Sequence, residues 1–172
     1  MTSVDGGPAL NADLARARRL AAAVPDPEVP VLTIDDLGVL RDVTKDDEGT
    51  VVVRITPTYS GCPAMDTIRA DVLTALHDGG FADVRVDLVL SPAWTTDWMS
   101  EDGRRKLAEY GIAPPASDAE RRRVPVGLTL RVRCPQCGSP DTEELSRFGS
   151  TACKSLWRCR SCLEPFDHFK TL

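Results

Sequence analysis

Two Cys-x-x-Cys pairs near the carboxyl end place the strongest constraint on what this chain can fold into. The first pair is Cys134 and Cys137, and the second is Cys159 and Cys162. The two-residue spacing lets both sulfurs of a pair turn toward one point, and four thiolates at about 2.3 Å satisfy tetrahedral Zn²⁺ without an open position. A small ribbon domain built around these two pairs has too little apolar core to fold by burial alone, so we expect the metal to supply much of its stability.

The cysteine spacing leaves the identity of the metal open. Four thiolates would also hold a single iron, and ligand type favours zinc. Cys153 lies outside the paired spacing, and we interpret it as a surface or core thiol. His168 follows the second pair, but four sulfurs already saturate zinc. From Arg131 to Leu172 there are seven basic and five acidic residues, which is a weak positive charge for binding nucleic acid.

The composition excludes several classes of protein. A net charge of −5 argues against a general nucleic-acid binder, and no apolar run approaches the roughly 20 residues needed to cross a bilayer. No basic region precedes an apolar core at the amino end, so no signal peptide is visible. Six cysteines without secretion indicate a reducing compartment, where thiols bind metal or react. We therefore expect a cytoplasmic protein with no membrane partner.

A second constraint lies in residues 56–65, which join an apolar strand to a helix. Cys62 occupies the expected N-cap of that helix, and Pro63 suits its first position because the missing N–H would be unsatisfied there. Apolar residues at helical spacing follow to about Leu76, and two glycines then end the run. A thiol at a helix N-terminus favours its thiolate form, which binds metals and attacks electrophiles. The alternative is a small buried hydrophobic side chain at a turn.

The rest of the pattern predicts an α/β (α+β) domain with helices on one face of a small mixed sheet. A helix capped by Asn11 ends near Val24, and the stiff turn at Asp26-Pro27-Glu28 carries two carboxylates. A strand over 34–43, interrupted by Leu37-Gly38, forms a hairpin with 50–56, and a half-buried strand follows over 84–90. A short polar helix then ends near Tyr110.

Composition also predicts the domain boundaries. Residues 11–113 form the α/β domain, and the Pro-rich residues 114–125 form a linker. Residues 126–172 form the ribbon, which begins with an alternating strand over 126–132.

These motifs resemble a known family. Four of them are similar to the small domain of iron–sulfur cluster assembly factors of the SufT type: Asp26-Pro27-Glu28, Asp36-Leu37-Gly38, Thr56-Pro57 with Gly61-Cys62-Pro63, and Pro92-Ala93-Trp94-Thr95. The segments 94–100, 111–115 and 148–154, together with the Cys-x-x-Cys ribbon, resemble the PaaD (or PaaJ) family of accessory subunits of the phenylacetyl-CoA epoxidase system. The resemblance covers about residues 13–172.

The resemblance implies a factor that matures this multicomponent enzyme of aerobic phenylacetate degradation. The enzyme's oxygenase component, which has a di-iron centre, and its reductase component, which has an iron–sulfur centre, are the implied partners. By position, Cys62 would be a transient ligand for iron or an iron–sulfur cluster, with Asp26 and Glu28 as the acidic motif near it. Because clusters normally take four protein ligands, Cys62 would need a homodimer or a client protein to complete the coordination.

Three functions remain open at this level. The first is the assembly factor, the second is a thiol-dependent enzyme with Cys62 as nucleophile, and the third is a zinc-ribbon module that binds nucleic acid or protein. The chain has no Gly-rich phosphate loop and no Gly-x-Ser-x-Gly elbow. We assign no catalytic residue and do not expect an enzyme.

Overall fold

Two separate sheets and three helices make up the described part of the chain, which in this computed structural model comprises residues 8–59, 61–117 and 132–171. The helices are α1 (Pro8–Ala22), α2 (Ala64–Asp78) and α3 (Glu101–Glu109). The strands are β1 (Leu40–Lys45), β2 (Val51–Ile55), β3 (Val84–Leu88), β4 (Ile112–Ala113), β5 (Thr142–Ser146), β6 (Lys154–Cys159) and β7 (Pro165–Phe169). Within these ranges no helix is both long and apolar enough to cross a membrane. The contacts divide the chain into two units, Met1–Ala93 and Trp94–Leu172.

The first unit contains a mixed three-stranded sheet in the order β1-β2-β3. The β1 and β2 strands pair antiparallel, which confirms the predicted hairpin, and β2 pairs parallel with β3 so that Ile55 lies beside Leu88. The carboxyl ends of β2 and β3 therefore lie side by side at one end of the sheet. The chain leaves β2 at this end to reach Cys62.

Helices α1 and α2 contact each other and pack against this sheet. Each presents one apolar stripe, as the helical spacing predicts; the buried residues are Ala17, Ala21, Ala64, Ile68, Val72 and Leu76. The predicted start of α1 was wrong, since the helix begins at Pro8 and Asn11 lies within its first turns. A proline at the first helical position suits a helix start because its missing N–H leaves no unsatisfied donor.

Two predictions about the strands of this sheet also need correction. The strand expected over 34–43 begins only at Leu40, because residues before it form a turn in which Thr33 and Asp36 cap each other's backbone N–H groups. The alternating burial expected over 84–90 holds only for Val86, which is buried. Leu88 and Leu90 are 54% and 63% exposed, since β3 lies at the edge of the sheet.

The second unit contains a four-stranded sheet in the order β4-β7-β6-β5. The short strand β4 pairs parallel with β7, so the segment that follows α3 joins the sheet of the ribbon. Arg104 of α3 adds to this attachment, because its guanidinium donates to the carbonyls of Thr96 and Pro115.

Because of this attachment, the boundary between the two units lies before the predicted linker and not within it. The contacts divide the chain at Ala93, ahead of residues 114–125. Most of that linker and nearly all of the strand expected over 126–132 lie outside the described residues.

The end of α2 shows how two glycines stop a helix. The N–H of Gly80 donates to the carbonyl of His77, and the N–H of Phe81 donates to the carbonyl of Leu76. This pair of bonds is the Schellman motif, which needs a left-handed residue just after the helix. Gly80 supplies it with a φ of 85°.

We expect Gly80→Ala to lower the free energy of unfolding of the first unit by about 1–2 kcal/mol. An added Cβ would meet no atom within 4 Å, so the loss comes only from forcing an L side chain into a left-handed conformation. The matched variant Gly80→Asn should lose less, because asparagine tolerates that conformation. Urea unfolding measures both variants, and an alanine variant as stable as the parent would contradict this account.

Candidate functional site

The four paired cysteines converge on one point in the second unit. Their sulfurs all lie within 4.8 Å of one another, with 3.7 Å between Cys134 and Cys162 and 3.5 Å between Cys137 and Cys159. A tetrahedral ion at about 2.3 Å from each sulfur requires sulfur–sulfur separations of about 3.8 Å. All four are free thiols, and these distances far exceed the roughly 2.05 Å of a disulfide bond. The donor set therefore fits a tetrahedral thiolate-bound metal.

Each cysteine pair closes a tight turn. In the first turn the N–H of Gly138 donates to the carbonyl of Cys134, and in the second the N–H of Cys162 donates to the sulfur of Cys159. The residue after each pair is left-handed: Gly138 has a φ of 74° and Leu163 a φ of 65°. Gly138 adopts this conformation without steric cost, whereas Leu163 adopts it despite the steric cost to its Cβ.

The electrostatics of the cluster favour a bound cation. Backbone N–H groups, first that of Cys162, lower the pKa of the Cys159 thiol to about 6. At Cys162 the backbone N–H of Glu164 favours ionisation, but burial and the neighbouring thiols outweigh it and raise the pKa to about 12. Once one thiolate forms, its neighbours resist ionising, because like charges at this separation repel one another. A divalent metal removes that repulsion and allows all four to ionise.

The surroundings of the cluster hold it on the sheet. Cys134 and Cys159 are buried with Ala113 and Phe166, and Trp157 packs against this group. On β5, Glu143 accepts hydrogen bonds from Arg160 and Arg158, which hold the pKa of its carboxyl below the usual range. The ion pairs span neighbouring strands and orient the second cysteine pair.

Two other candidate ligands lie outside this cluster. Cys153 is buried, which agrees with a core thiol and not with a surface thiol. Its sulfur lies 3.0 Å from the Thr151 hydroxyl. The Nδ1 atom of His168 lies 3.3 Å from the hydroxyl of Ser155. Neither residue belongs to the group of four metal-ligating atoms.

Cys62 lies in the turn between β2 and α2. Its thiol is half-buried, its N–H donates to the carbonyl of Tyr59, and its own carbonyl accepts from Met65. The prediction that Cys62 is the N-cap was wrong by one residue: the N-cap is Pro63, and no side chain caps the helix. Gly61 before it has a φ of 80°. The thiol is therefore placed beside the start of α2 without being used to cap it.

Asp26 has a structural role that the sequence pattern did not reveal. Its carboxylate Oδ1 accepts hydrogen bonds from the N–H groups of Glu28 and Val29, at 2.9 and 2.8 Å, and the side chain is buried. Glu28 is half-buried in the same turn. An aspartate two or three residues before the N–H groups it binds is a common turn signal, so the turn predicted at Asp26-Pro27-Glu28 could also have indicated this use of the Asp26 carboxylate.

The structure does not gather Cys62, Asp26 and Glu28 into a metal site. Among the described residues, the four ribbon cysteines are the one group of three or more Cys, His, Asp or Glu side chains that could hold an ion.

The segment before Cys62 also contains a buried polar group that the sequence did not predict. The Thr56 hydroxyl is buried and has no hydrogen-bond partner in the described part of the chain.

The hydrogen bonds of Asp26 predict a difference between two substitutions. Asp26→Ala should cost about 1–2 kcal/mol of stability because two backbone N–H groups lose their acceptor. Asp26→Asn keeps an oxygen acceptor and should cost less. Urea unfolding followed by circular dichroism measures both. If asparagine is as damaging as alanine, the carboxylate charge matters beyond the turn.

Comparisons with known proteins agree with this two-part organisation. Residues 17–88 match the family described as "Iron-sulfur cluster assembly protein", and residues 118–170 match the "PaaD zinc beta ribbon domain". A crystal structure of a domain of unknown function, DUF59, from Bacillus anthracis matches with a TM-score of 0.54 and 29% identity. The match covers 59% of this chain and 97% of the Bacillus anthracis chain.

Curated relatives match both the whole chain and its first part. The "Fe-S protein maturation auxiliary factor SufT" of Staphylococcus aureus is 41% identical, over 44% of this chain and 85% of that protein. A protein of Escherichia coli described as a putative subunit of 1,2-phenylacetyl-CoA epoxidase is 52% identical over 153 residues, covering 89% of this chain and 90% of that protein. These matches confirm the resemblance: the chain belongs to the PaaD family, with an iron–sulfur cluster assembly domain followed by a zinc beta ribbon.

Proposed function

We propose that this chain is an assembly factor that helps load iron or an iron–sulfur cluster into a phenylacetyl-CoA epoxidase, in the aerobic degradation of phenylacetate. The similarity to the relative named as an epoxidase subunit, over nine-tenths of that protein, carries the proposal. The relatives of the first part are named as Fe–S protein maturation auxiliary factors. The oxygenase and reductase components are the proposed partners.

In this proposal Cys62 is the transient ligand for the cargo. Its thiol is half-buried, and it lies in a turn at the carboxyl ends of two parallel strands, where ligands commonly bind in α/β sheets. A soft thiolate ligand suits iron and iron–sulfur clusters. Since clusters normally take four protein ligands, a client protein or a second copy of the chain supplies the others. Asp26 and Glu28 would act near this cargo, with Asp26 already committed to its turn.

The ribbon has a separate, structural part in the proposal. Zn²⁺ held by Cys134, Cys137, Cys159 and Cys162 would close a site without an open position, so it would stabilise the second unit without taking part in catalysis. We propose no catalytic residue for this chain. A thiol-dependent enzyme would need a base beside Cys62, and in the described part of the chain no hydrogen bond between Cys62 and a histidine supports that alternative.

The proposal for the ribbon predicts one zinc per chain. Cys137→Ser should lose this zinc and unfold the second unit, since metal-binding energy is folding energy in a small metal-stabilised domain. The first unit should stay folded because its sheet and helices form their own core. Elemental analysis and amide NMR spectra measure the two effects. The matched variant Cys153→Ser should keep its zinc, and a parent protein that is folded but metal-free would contradict the prediction.

The proposal for Cys62 predicts a variant that folds but does not function. Cys62→Ser should leave the zinc content and the melting temperature nearly unchanged, because the side chain caps nothing and is only half-buried. The oxygenase component produced alongside this variant should contain little of its iron. The measurements are thermal unfolding of the variant and iron analysis of the purified oxygenase.

The opposite pattern would indicate that Cys62 is only a packing residue. In that case the serine hydroxyl would be buried at a cost of about 1–3 kcal/mol, and the oxygenase would load its iron normally. Cys153→Ser, which changes a buried thiol in the other unit, serves as the control for loss of any thiol.

A further inference from the structure

A cavity of about 440 Å³ opens on the sheet of the second unit, on residues that neither the zinc site nor the Cys62 turn uses. Its volume lies in the range of about 300–1,000 Å³ that is typical of sites for small molecules and peptide side chains. Six of its lining side chains carry the argument: Glu144, Arg147, Phe148, Trp157, His168 and Lys170. The structure therefore offers a concave surface with aromatic, cationic and hydrogen-bonding groups.

The aromatic part of the cavity is fixed on one side and exposed on the other. Trp157 is half-buried, packs against the core group beside the cysteines, and meets the ring of His168 edge-on at 5.8 Å between ring centres. Phe148 is 73% exposed. A large exposed aromatic ring beside a fixed one is a surface on which an apolar group gains by burial.

Hydrogen bonds connect Trp157 to His168 through Ser155. The indole N–H of Trp157 donates to the Ser155 hydroxyl at 2.9 Å, and that hydroxyl lies 3.3 Å from Nδ1 of His168. While it accepts from Trp157, the hydroxyl can donate its own hydrogen to Nδ1 of the His168 tautomer that is protonated on Nε2. Burial lowers the pKa of His168 to about 4, so the ring is neutral near pH 7. In this tautomer Nε2, which has no partner among the described residues, can donate its proton to a ligand.

The charged groups of the cavity favour an anion. Arg147 forms no ion pair within the described ranges, so its charge is available to a ligand. Lys170 lies 4.8 Å over the ring of Phe148 and donates to the carbonyl of Ala152, and no carboxylate of the described residues forms an ion pair with it. Among the described residues, Glu144 is the one carboxylate that lines the cavity. Two cations and one anion give this described lining a net positive charge, in a chain whose net charge is −5.

We propose that this cavity binds a carboxylate joined to an apolar or aromatic body. The carboxylate would pair with Arg147 and Lys170 and accept from His168, while the body packs on Trp157 and Phe148. Two sources share this chemistry: a small organic acid, or an aspartate or glutamate beside an aromatic residue in a partner's peptide chain. The inference does not depend on the proposed assembly role, since it concerns different residues.

Titration of the full-length, zinc-loaded protein tests this inference. One arm uses 3-phenylpropanoate with its neutral amide as control, and the other uses a capped peptide with an Asp-Phe pair, with Asn-Phe as control. The indole N–H signal of Trp157 in nitrogen-15 NMR spectra, assigned from Trp157→Phe, is the readout. We expect dissociation constants on the order of 1 mM for a carboxylate of this size, and binding about tenfold weaker for the amide.

Charge variants supply the internal controls. Arg147→Gln should weaken binding about tenfold, while Glu144→Gln should tighten it, because it removes a repelling carboxylate. Arg69→Gln makes the same charge change on α2 of the first unit, at a residue that does not line the cavity, and should leave binding unchanged. Binding in either arm supports the inference and identifies the source of the carboxylate. Absence of binding in both arms at about 10 mM, equal binding of carboxylate and amide, or an unchanged affinity in Arg147→Gln would overturn it.

Discussion

The repulsion among four closely spaced cysteine thiolates is the main constraint on the stability of the second unit. Their sulfurs lie within 4.8 Å of one another, at separations close to the edge of a thiolate tetrahedron. Without a cation the thiols ionise unequally, since the pKa of Cys159 is lowered and that of Cys162 is raised. A bound metal would offset the repulsion among the thiolates, and its binding energy would stabilise the folded second unit. Ala113 of β4 is buried with two of these cysteines, so the cluster would also hold this strand of the sheet.

The first unit places one half-buried thiol, that of Cys62, after a strand at the end of its sheet. Parallel pairing of β2 with β3 brings two strand ends together, and the chain after β2 must turn sharply to enter α2. Gly61 provides the left-handed residue for that turn, and Cys62 follows it with a half-buried sulfur. The thiol does not cap α2, because the N-cap position is Pro63. Its availability is the property that a transient metal ligand requires.

Acidic residues in this unit stabilise its turns. Asp26 binds two backbone N–H groups of its own turn, and Asp36 forms a reciprocal cap with Thr33. A carboxylate used in this way is held in one orientation by its partners. If Asp26 acts near the cargo as proposed, these hydrogen bonds would limit how far its carboxylate can move toward a metal.

The sequence by itself determined the four-cysteine cluster and the order of elements, because both depend on local spacing. Two Cys-x-x-Cys pairs bring sulfurs together within each turn, and apolar periodicity marks α2 and the β1–β2 hairpin. Only the tertiary structure decided that Leu88 is exposed at a sheet edge, that β4 pairs with β7, and that Ser155 connects Trp157 to His168. These outcomes arise between strands distant in the chain, so no local pattern of residues contains them.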